Sequence, residues 1–233
     1  MPVYQLDPEI MAFPPPELAR YDGLLAMGGD LSTRRLLLAY RMGIFPWYTP
    51  GEPILWWAPN PRLVLFPQEF HCGRRLKRLL RQGRFTLTLD QDFARVIESC
   101  GRINRPGQEG SWLGEEMIAA YLRLHEQGYA HSVECRRDGR LVGGLYGLAL
   151  GKVFFGESMF SLEANASKVA MAHLVELMLG CGGTMIDCQV ASDHLLSLGA
   201  RLIPARLFYT RLALDIEKNS VTIQQHPILR RSG

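Results

Sequence analysis

An α/β (α+β) fold built on one mixed sheet is what this sequence predicts. Three stretches carry the prediction. "AHSVECRRDGRLVGGLYGLALGKVFFGESMF" reads as apolar runs broken by two turn signals, the pattern of an antiparallel meander. "NASKVAMAHLVELMLGCGG" follows as a long, mostly apolar helix closed by glycines. It leads straight into the short strand "TMIDCQV", and further helical stretches come after it. With 233 residues, 47% hydrophobic and 21% charged, the chain can bury a substantial core.

Taken from the start, "FPPPELARYDGLLAMGGDLS" is rich in Pro and Gly and is expected to be mostly loop. Ser32 suits the N-cap of a helix over "TRRLLLAYRMG", with Gly43 as its stop. "IFPWYTPGEPILWWAPNPR" packs five prolines and three tryptophans into nineteen residues. Proline at that density opposes regular structure while the aromatics require burial or a ligand, so a stiff, aromatic-lined surface is expected. A boundary is placed there, dividing a small N-terminal domain (1–62) from a larger domain (63–233). "RLVLF" and "RFTLTLD" read as strands flanking a basic helix, and "QDFARVIESC" and "GEEMIAAYLRLHEQG" as amphipathic helices, the second ended by Gly128. Asp138-Gly139 marks a hairpin, and the Leu150-Gly151-Lys152 region a second turn. "SDHLLSLGA" and "PARLFYTRLALDIE" read as helices, and the tail beyond about Asn219 as irregular.

Several function classes are excluded early. No apolar run reaches the roughly 18 residues a membrane helix needs, and "MPVYQLDPEI" has neither the basic flank nor the apolar core of a secretory signal. Five scattered cysteines with no CxxC pair point to a reducing cytoplasm rather than a disulfide scaffold. Cys181, Cys188 and His194 lack zinc-ligand spacing, so no metal is expected. The net charge is only +3, but its distribution is informative. "HCGRRLKRLLRQGR" holds six basic residues and no acid, with Arg74, Arg75, Lys77, Arg78 and Arg81 at helical spacing. Solvated helix faces mostly mix signs; a stripe of one sign suits a polyanion such as nucleic acid.

Two acids stand alone in apolar strands: Glu157 in "FFGESMFS" and Asp187 in "MIDCQV". Strand alternation puts Asp187 and Gln189 on one face, with Ile186, Cys188 and Val190 on the other. A face meeting water would account for that, and so would a cleft where both acids converge on a cationic guest. Cys188 is read as a small buried hydrophobe rather than a nucleophile.

The element order resembles the acetyltransferase-like (GNAT) fold, whose sheet splays after its central strands and holds an acyl donor there. The chain lacks that fold's Arg/Gln-x-x-Gly-x-Gly/Ala pyrophosphate loop, so a donor other than acetyl-CoA is expected.

The strings "GGDLS", "YRMGIFPWY", "ILWWAPNPR", "GSWL", "VGGLYG", "FFGESMFS", "NASK" and "IDCQV…DHLLSLGA" occur in that order. In them the chain resembles bacterial leucyl/phenylalanyl-tRNA–protein transferases, from about Phe13 to Tyr209. The resemblance implies transfer of Leu, Phe and less readily Met from aminoacyl-tRNA to the N-terminal amine of proteins beginning with Arg or Lys. The product is marked for degradation by the N-end rule. It implies a 3′-terminal adenosine held by Trp47 and Trp112, with Tyr40 and Tyr121 nearby, and acceptor-stem phosphates gripped by Arg74, Arg78 and Arg81. Trp56 and Trp57 are left to packing. The aminoacyl side chain is expected in an apolar pocket of Leu145, Phe154, Met159, Leu174 and Ile186. Leu145 and Leu174 stand where larger or more flexible residues are expected. Glu157 is expected to bind the acceptor, and Asp187 to orient Gln189, whose amide oxygen aims the attacking amine. On this reading the enzyme works as a monomer with no cofactor, no covalent enzyme intermediate and no membrane partner. A CoA-dependent N-acetyltransferase and a non-catalytic tRNA-binding protein are the alternatives.

Overall fold

The computed structural model describes residues 2–103 and 113–217. The chain opens with β1 (Tyr4–Leu6), β2 (Leu24–Gly28), α1 (Thr33–Arg41), β3 (Phe45–Pro46) and β4 (Leu55–Trp57). Next come β5 (Arg62–Leu65), α2 (Arg74–Arg81), β6 (Thr86–Leu89), α3 (Phe93–Arg102) and α4 (Glu115–Glu126). The meander is β7 (Ala130–Arg137), β8 (Arg140–Leu150) and β9 (Val153–Ser161), and α5 (Ala166–Gly180) and β10 (Met185–Gln189) follow. The described chain closes with α6 (Asp193–Leu196), β11 (Arg201–Ile203) and α7 (Ala205–Asp215). Among the described residues no helix is long and apolar enough to cross a membrane. The expected irregular tail lies outside the described residues.

Most local expectations hold for the expected reasons. Ser32 caps α1 by accepting from the Arg35 N–H, and Gly43 ends it in a left-handed conformation. Asp138 and Gly139 both take positive φ, the geometry of the predicted hairpin. The Pro-rich opening departs from expectation. Residues read there as loop or irregular form β2, β3 and β4, which join β1, where no element was expected, in a four-stranded sheet of order β1-β2-β4-β3. Its strands are two to five residues long, and Pro46 sits on the edge strand β3, where a missing N–H costs no ladder bond. Of the two closing stretches, "SDHLLSLGA" yields only the four-residue α6, and β11 forms in the link between α6 and α7.

The main sheet is mixed, with the order β11-β5-β10-β9-β8-β7-β6. One face is covered by α3, α4 and the N-terminal elements; Leu36, Tyr40, Trp56, Val96, Tyr121, Phe155 and Phe208 share that core. The other face is covered by α2 and α5, with Leu65, Leu76, Leu145, Phe154, Leu174 and Ile186 in its core. The sheet splays, as the acetyltransferase-like comparison predicts. β9 and β10 pair in parallel only from Met185↔Val153 to Asp187↔Phe155, and beyond that they separate.

Two β-bulges flank the split. Against β8, Gly147 pairs with Gly156 but Tyr146 pairs with Ser158, which leaves Glu157 as the extra residue on β9. Against β5, Asp187 pairs with Val64 but Gln189 pairs with Leu63, which leaves Cys188 as the extra residue on β10. A bulge bends its strand and re-aims the side chains around it. Glycine is required beside the first: a Cβ on Gly147 would lie 2.1 Å from the Phe155 carbonyl oxygen.

Candidate active site

Where β9 and β10 part, a slot of about 450 Å³ passes between the two faces of the sheet. Phe45, Pro46, Trp47 and Ile103 line one end, and Met171, Leu174, His194 and Leu195 line the other. All five apolar residues proposed from sequence, Leu145, Phe154, Met159, Leu174 and Ile186, lie on its walls. Its lining is predominantly apolar, with a few polar groups, Glu157 and Gln189 among them, at the split; that combination is the usual make-up of a small-ligand site.

The polar groups are tied together. Gln189 Nε2 donates to Glu157 Oε1 at 2.7 Å, and the Tyr121 hydroxyl donates to Glu157 Oε2, also at 2.7 Å. Behind them the Tyr40 and Tyr121 hydroxyls are hydrogen-bonded to each other. Burial pushes the Glu157 carboxyl up to about 7, against the lowering effect of the hydrogen bonds from Tyr121, Tyr40 and Gln189. Burial, and then the nearby Glu157 charge, hold both tyrosines protonated far above neutral pH. An ionised Glu157 can only accept, so it fixes the Gln189 amide with its nitrogen turned inward and its oxygen left for another donor.

Asp187 does not open onto the slot. The bulge at Cys188 adds a residue between Asp187 and Gln189, so strict alternation fails at the site itself. Asp187 is fully buried and bonded by Arg62 at 2.8 and 2.7 Å, while Cys188 lines the slot beside Ile186 and Gln189. Asp187 reaches Gln189 through the backbone instead, with Oδ1 accepting the Gln189 N–H at 3.0 Å. The expectation that Asp187 and Gln189 confront a guest side by side is therefore corrected: Glu157 is the acid beside the amide. The Cys188 thiol is held protonated, raised chiefly by burial and then by Asp187, which opposes a nucleophilic role.

The aromatic residues divide. Trp47 lines the slot and is 38% exposed, with a ring face tilted against Trp57 at 5.7 Å. Trp57 Nε1 donates to the Trp47 carbonyl at 2.6 Å, and Trp56 is buried edge-on to Phe13. Tyr40 and Tyr121 have no exposed surface, so neither offers a face for stacking; their hydroxyls hold Glu157 instead. Trp112 lies outside the described residues. Arg74, Arg78 and Arg81 are exposed along α2, which buries Leu76 and packs against α5, a wall of the slot.

Sequence reasoning missed Arg62, the tyrosine support of Glu157 and both bulges. Glycines inside β8 and β9 were the available sign, because Gly147 and Gly156 flank the first bulge.

A family model described as leucyl/phenylalanyl-tRNA protein transferase matches residues 64–213, and a model for the N-terminal domain of that family matches residues 29–60. A leucyl/phenylalanyl-tRNA–protein transferase of Syntrophobacter fumaroxidans is 56% identical over 216 residues, 93% of this chain and 92% of that protein. Those of Syntrophus aciditrophicus and Pseudomonas entomophila are 58% identical over 208 residues (89% of this chain, 87% of that protein) and 53% identical over 212 residues (90% and 93%). Among solved structures, a GCN5-related N-acetyltransferase from Kribbella flavida superposes at a TM-score of 0.40 with 12% identity, over 71% of this chain and 58% of that one.

Proposed function

From the premise that the chain belongs to the leucyl/phenylalanyl-tRNA protein transferase family and is an aminoacyltransferase, we propose that it moves Leu, Phe and less efficiently Met from aminoacyl-tRNA to the N-terminal amine of proteins beginning with Arg or Lys. The new peptide bond marks the acceptor for N-end rule degradation. The observation that carries this reading is the apolar slot with the Glu157–Gln189 pair at its side. Its division into a small N-terminal part (1–62) and a catalytic part (63–233) belongs to the same proposal.

In this reading the aminoacyl side chain occupies the slot among Leu145, Phe154, Met159, Leu174 and Ile186. Such a wall separates apolar side chains by only about 1–3 kcal/mol per methylene, which suits a donor range wide enough to include Met. Trp47 stacks on the terminal adenosine, an interaction contributing roughly 1–3 kcal/mol. The acceptor amine accordingly approaches from the Glu157–Gln189 side. The Gln189 amide oxygen accepts a hydrogen bond from it and aims its lone pair at the ester carbonyl. Glu157 supplies negative charge for the acceptor's cation. A C–N bond forms, the ester C–O bond to the adenosine breaks, and the released hydroxyl takes up the amine's proton through the adenosine's own hydroxyls. A neutral amide is too weak a base to remove that proton, so Gln189 positions rather than deprotonates. Holding two reactants this way can supply several kcal/mol of the barrier.

The direct test is incubation with leucyl-tRNA and an Arg-starting peptide. The peptide is expected to gain the mass of one leucyl residue, and acetyl-CoA in place of charged tRNA is expected to give no gain. Release of free leucine with an unmodified peptide rejects the proposal. A second expectation concerns α2. Removing Arg74, Arg78 and Arg81 together, each to Ala, is expected to weaken tRNA binding. The slope of log affinity against log salt should shrink by roughly 0.7–0.9 for each phosphate that no longer meets an arginine. Unchanged affinity and slope in a binding titration exclude the phosphate grip.

A further inference from the structure

Arg62 begins β5, and nothing in its immediate sequence sets it apart. Its side chain is 1% exposed, among the largest fully buried groups of the protein. Nε and Nη2 each donate to a different oxygen of Asp187, and the guanidinium lies over the rings of Phe45 and Phe208 at 4.8 and 4.7 Å. Phe45 also lines the slot.

An ion pair this deep is a poor stabiliser, because desolvating both ions offsets their attraction. Here the offset is larger, since buried Nη1 has no hydrogen-bond partner among the described residues. What the pair does is fix a position. The Asp187 oxygen that accepts from Arg62 Nε also accepts the Gln189 N–H. Gln189 takes φ 65° there, a left-handed conformation that an L residue other than Asn or Asp rarely holds unless its surroundings impose it. That conformation ends the paired part of β10 and sends the side chain to Glu157 across the split.

We propose that Arg62 is a positioning residue for aminoacyl transfer: it pins Asp187, whose carboxylate holds the left-handed turn that aims the Gln189 amide into the slot. The inference rests on the reading that Gln189 meets the acceptor amine. A guanidinium is needed because only a planar fork meets both carboxylate oxygens while stacked on aromatic rings.

The test compares Arg62→Lys with the parent in the full chain, well below the melting temperature of each. The expected result is a kcat for leucyl transfer lowered by about tenfold or more, as a small misplacement of a reacting group produces, with KM for leucyl-tRNA nearly unchanged. A residue that only stabilises the fold lowers the melting temperature and leaves kcat of the folded enzyme alone. Should Arg62→Lys fail to fold, the double variant Arg62→Met, Asp187→Leu decides, because apolar replacement of a buried pair preserves folding. It is expected to melt no lower than the parent and still transfer slowly. Parental kcat in folded Arg62→Lys or in the double variant overturns the proposal. Gln189→Ala, assayed in parallel, separates the two levels. If Gln189→Ala is slow while the Arg62 variants are fast, only the Arg62 inference is lost. If Gln189→Ala is itself fast, the reading of the amine site fails and the Arg62 proposal fails with it.

Discussion

Gln189→Ala is expected to lower leucyl transfer on the order of a hundredfold or more, with affinity for charged tRNA nearly unchanged. The size follows from what the residue contributes. Its Nε2 is committed to Glu157, which leaves the amide oxygen as the group that, in the proposed reading, accepts from the amine. Removing the side chain deletes that acceptor without touching the slot's apolar walls or α2, so donor binding persists and alignment does not. Both Gln and Ala pay the same left-handed backbone cost at this position, so the exchange is not expected to unfold the chain. Gln189→Gly makes the control sharper. It relieves the positive φ and is expected to raise the melting temperature while remaining as slow as Gln189→Ala. Asp187→Ala is expected to be equally slow but far less stable, because it leaves Arg62 buried and unpaired at a cost of about 3–5 kcal/mol. Steady-state kinetics with a filter-binding titration of tRNA distinguishes these cases. Parental kcat in Gln189→Ala removes the amide from the reaction.

That Asp187 holds the Gln189 backbone from behind while Glu157 lies beside its amide is the part of the site the sequence did not disclose. Most of the architecture was legible, because strand period, helix caps and turn residues are local signals: Ser32, Gly43 and Asp138-Gly139 each act within a few residues of themselves. The five slot residues were legible from the family resemblance. A bulge is different in kind. Whether Cys188 is counted in the ladder depends on how β10 pairs with β5, more than a hundred residues earlier in the chain. Once it is extra, the two-residue period that put Asp187 beside Gln189 no longer applies. The same distance hid Arg62, whose partner is 125 residues away, and the pair Tyr40 and Tyr121, which the resemblance set near the adenosine and packing buried with their hydroxyls bonded to each other. β1, β2 and β11 were missed because strands of three to five residues are set by their neighbours rather than by their own composition.

Glu157→Gln is expected to alter both the pH dependence of transfer and that of stability, in directions the structure fixes. Burial raises the Glu157 carboxyl from 4.5 to about 7, so it gains its charge only near neutrality. Below that, a protonated Glu157 can donate to Gln189 and let the amide turn over, withdrawing the oxygen that should face the amine. Parental activity should therefore climb with pH through about 7, and further as the acceptor amine, with an ordinary pKa of about 7.7–8.0, loses its proton. Two successive ionisations make the acid limb of log kcat/KM steeper than unit slope; Glu157→Gln leaves only the amine and a limb of unit slope, at a lower plateau. Stability runs the other way. A carboxyl whose folded pKa lies above its unfolded value stabilises fully below about 4.5, and that contribution is lost as pH rises through about 7. The shift corresponds to about 3 kcal/mol. Denaturant titrations between pH 4 and pH 8.5 should accordingly show the parent losing stability relative to Glu157→Gln across that window. If the two enzymes instead share one pH–rate profile and keep a constant stability difference, Glu157 is charged throughout, and the switch from donor to acceptor beside Gln189 does not occur.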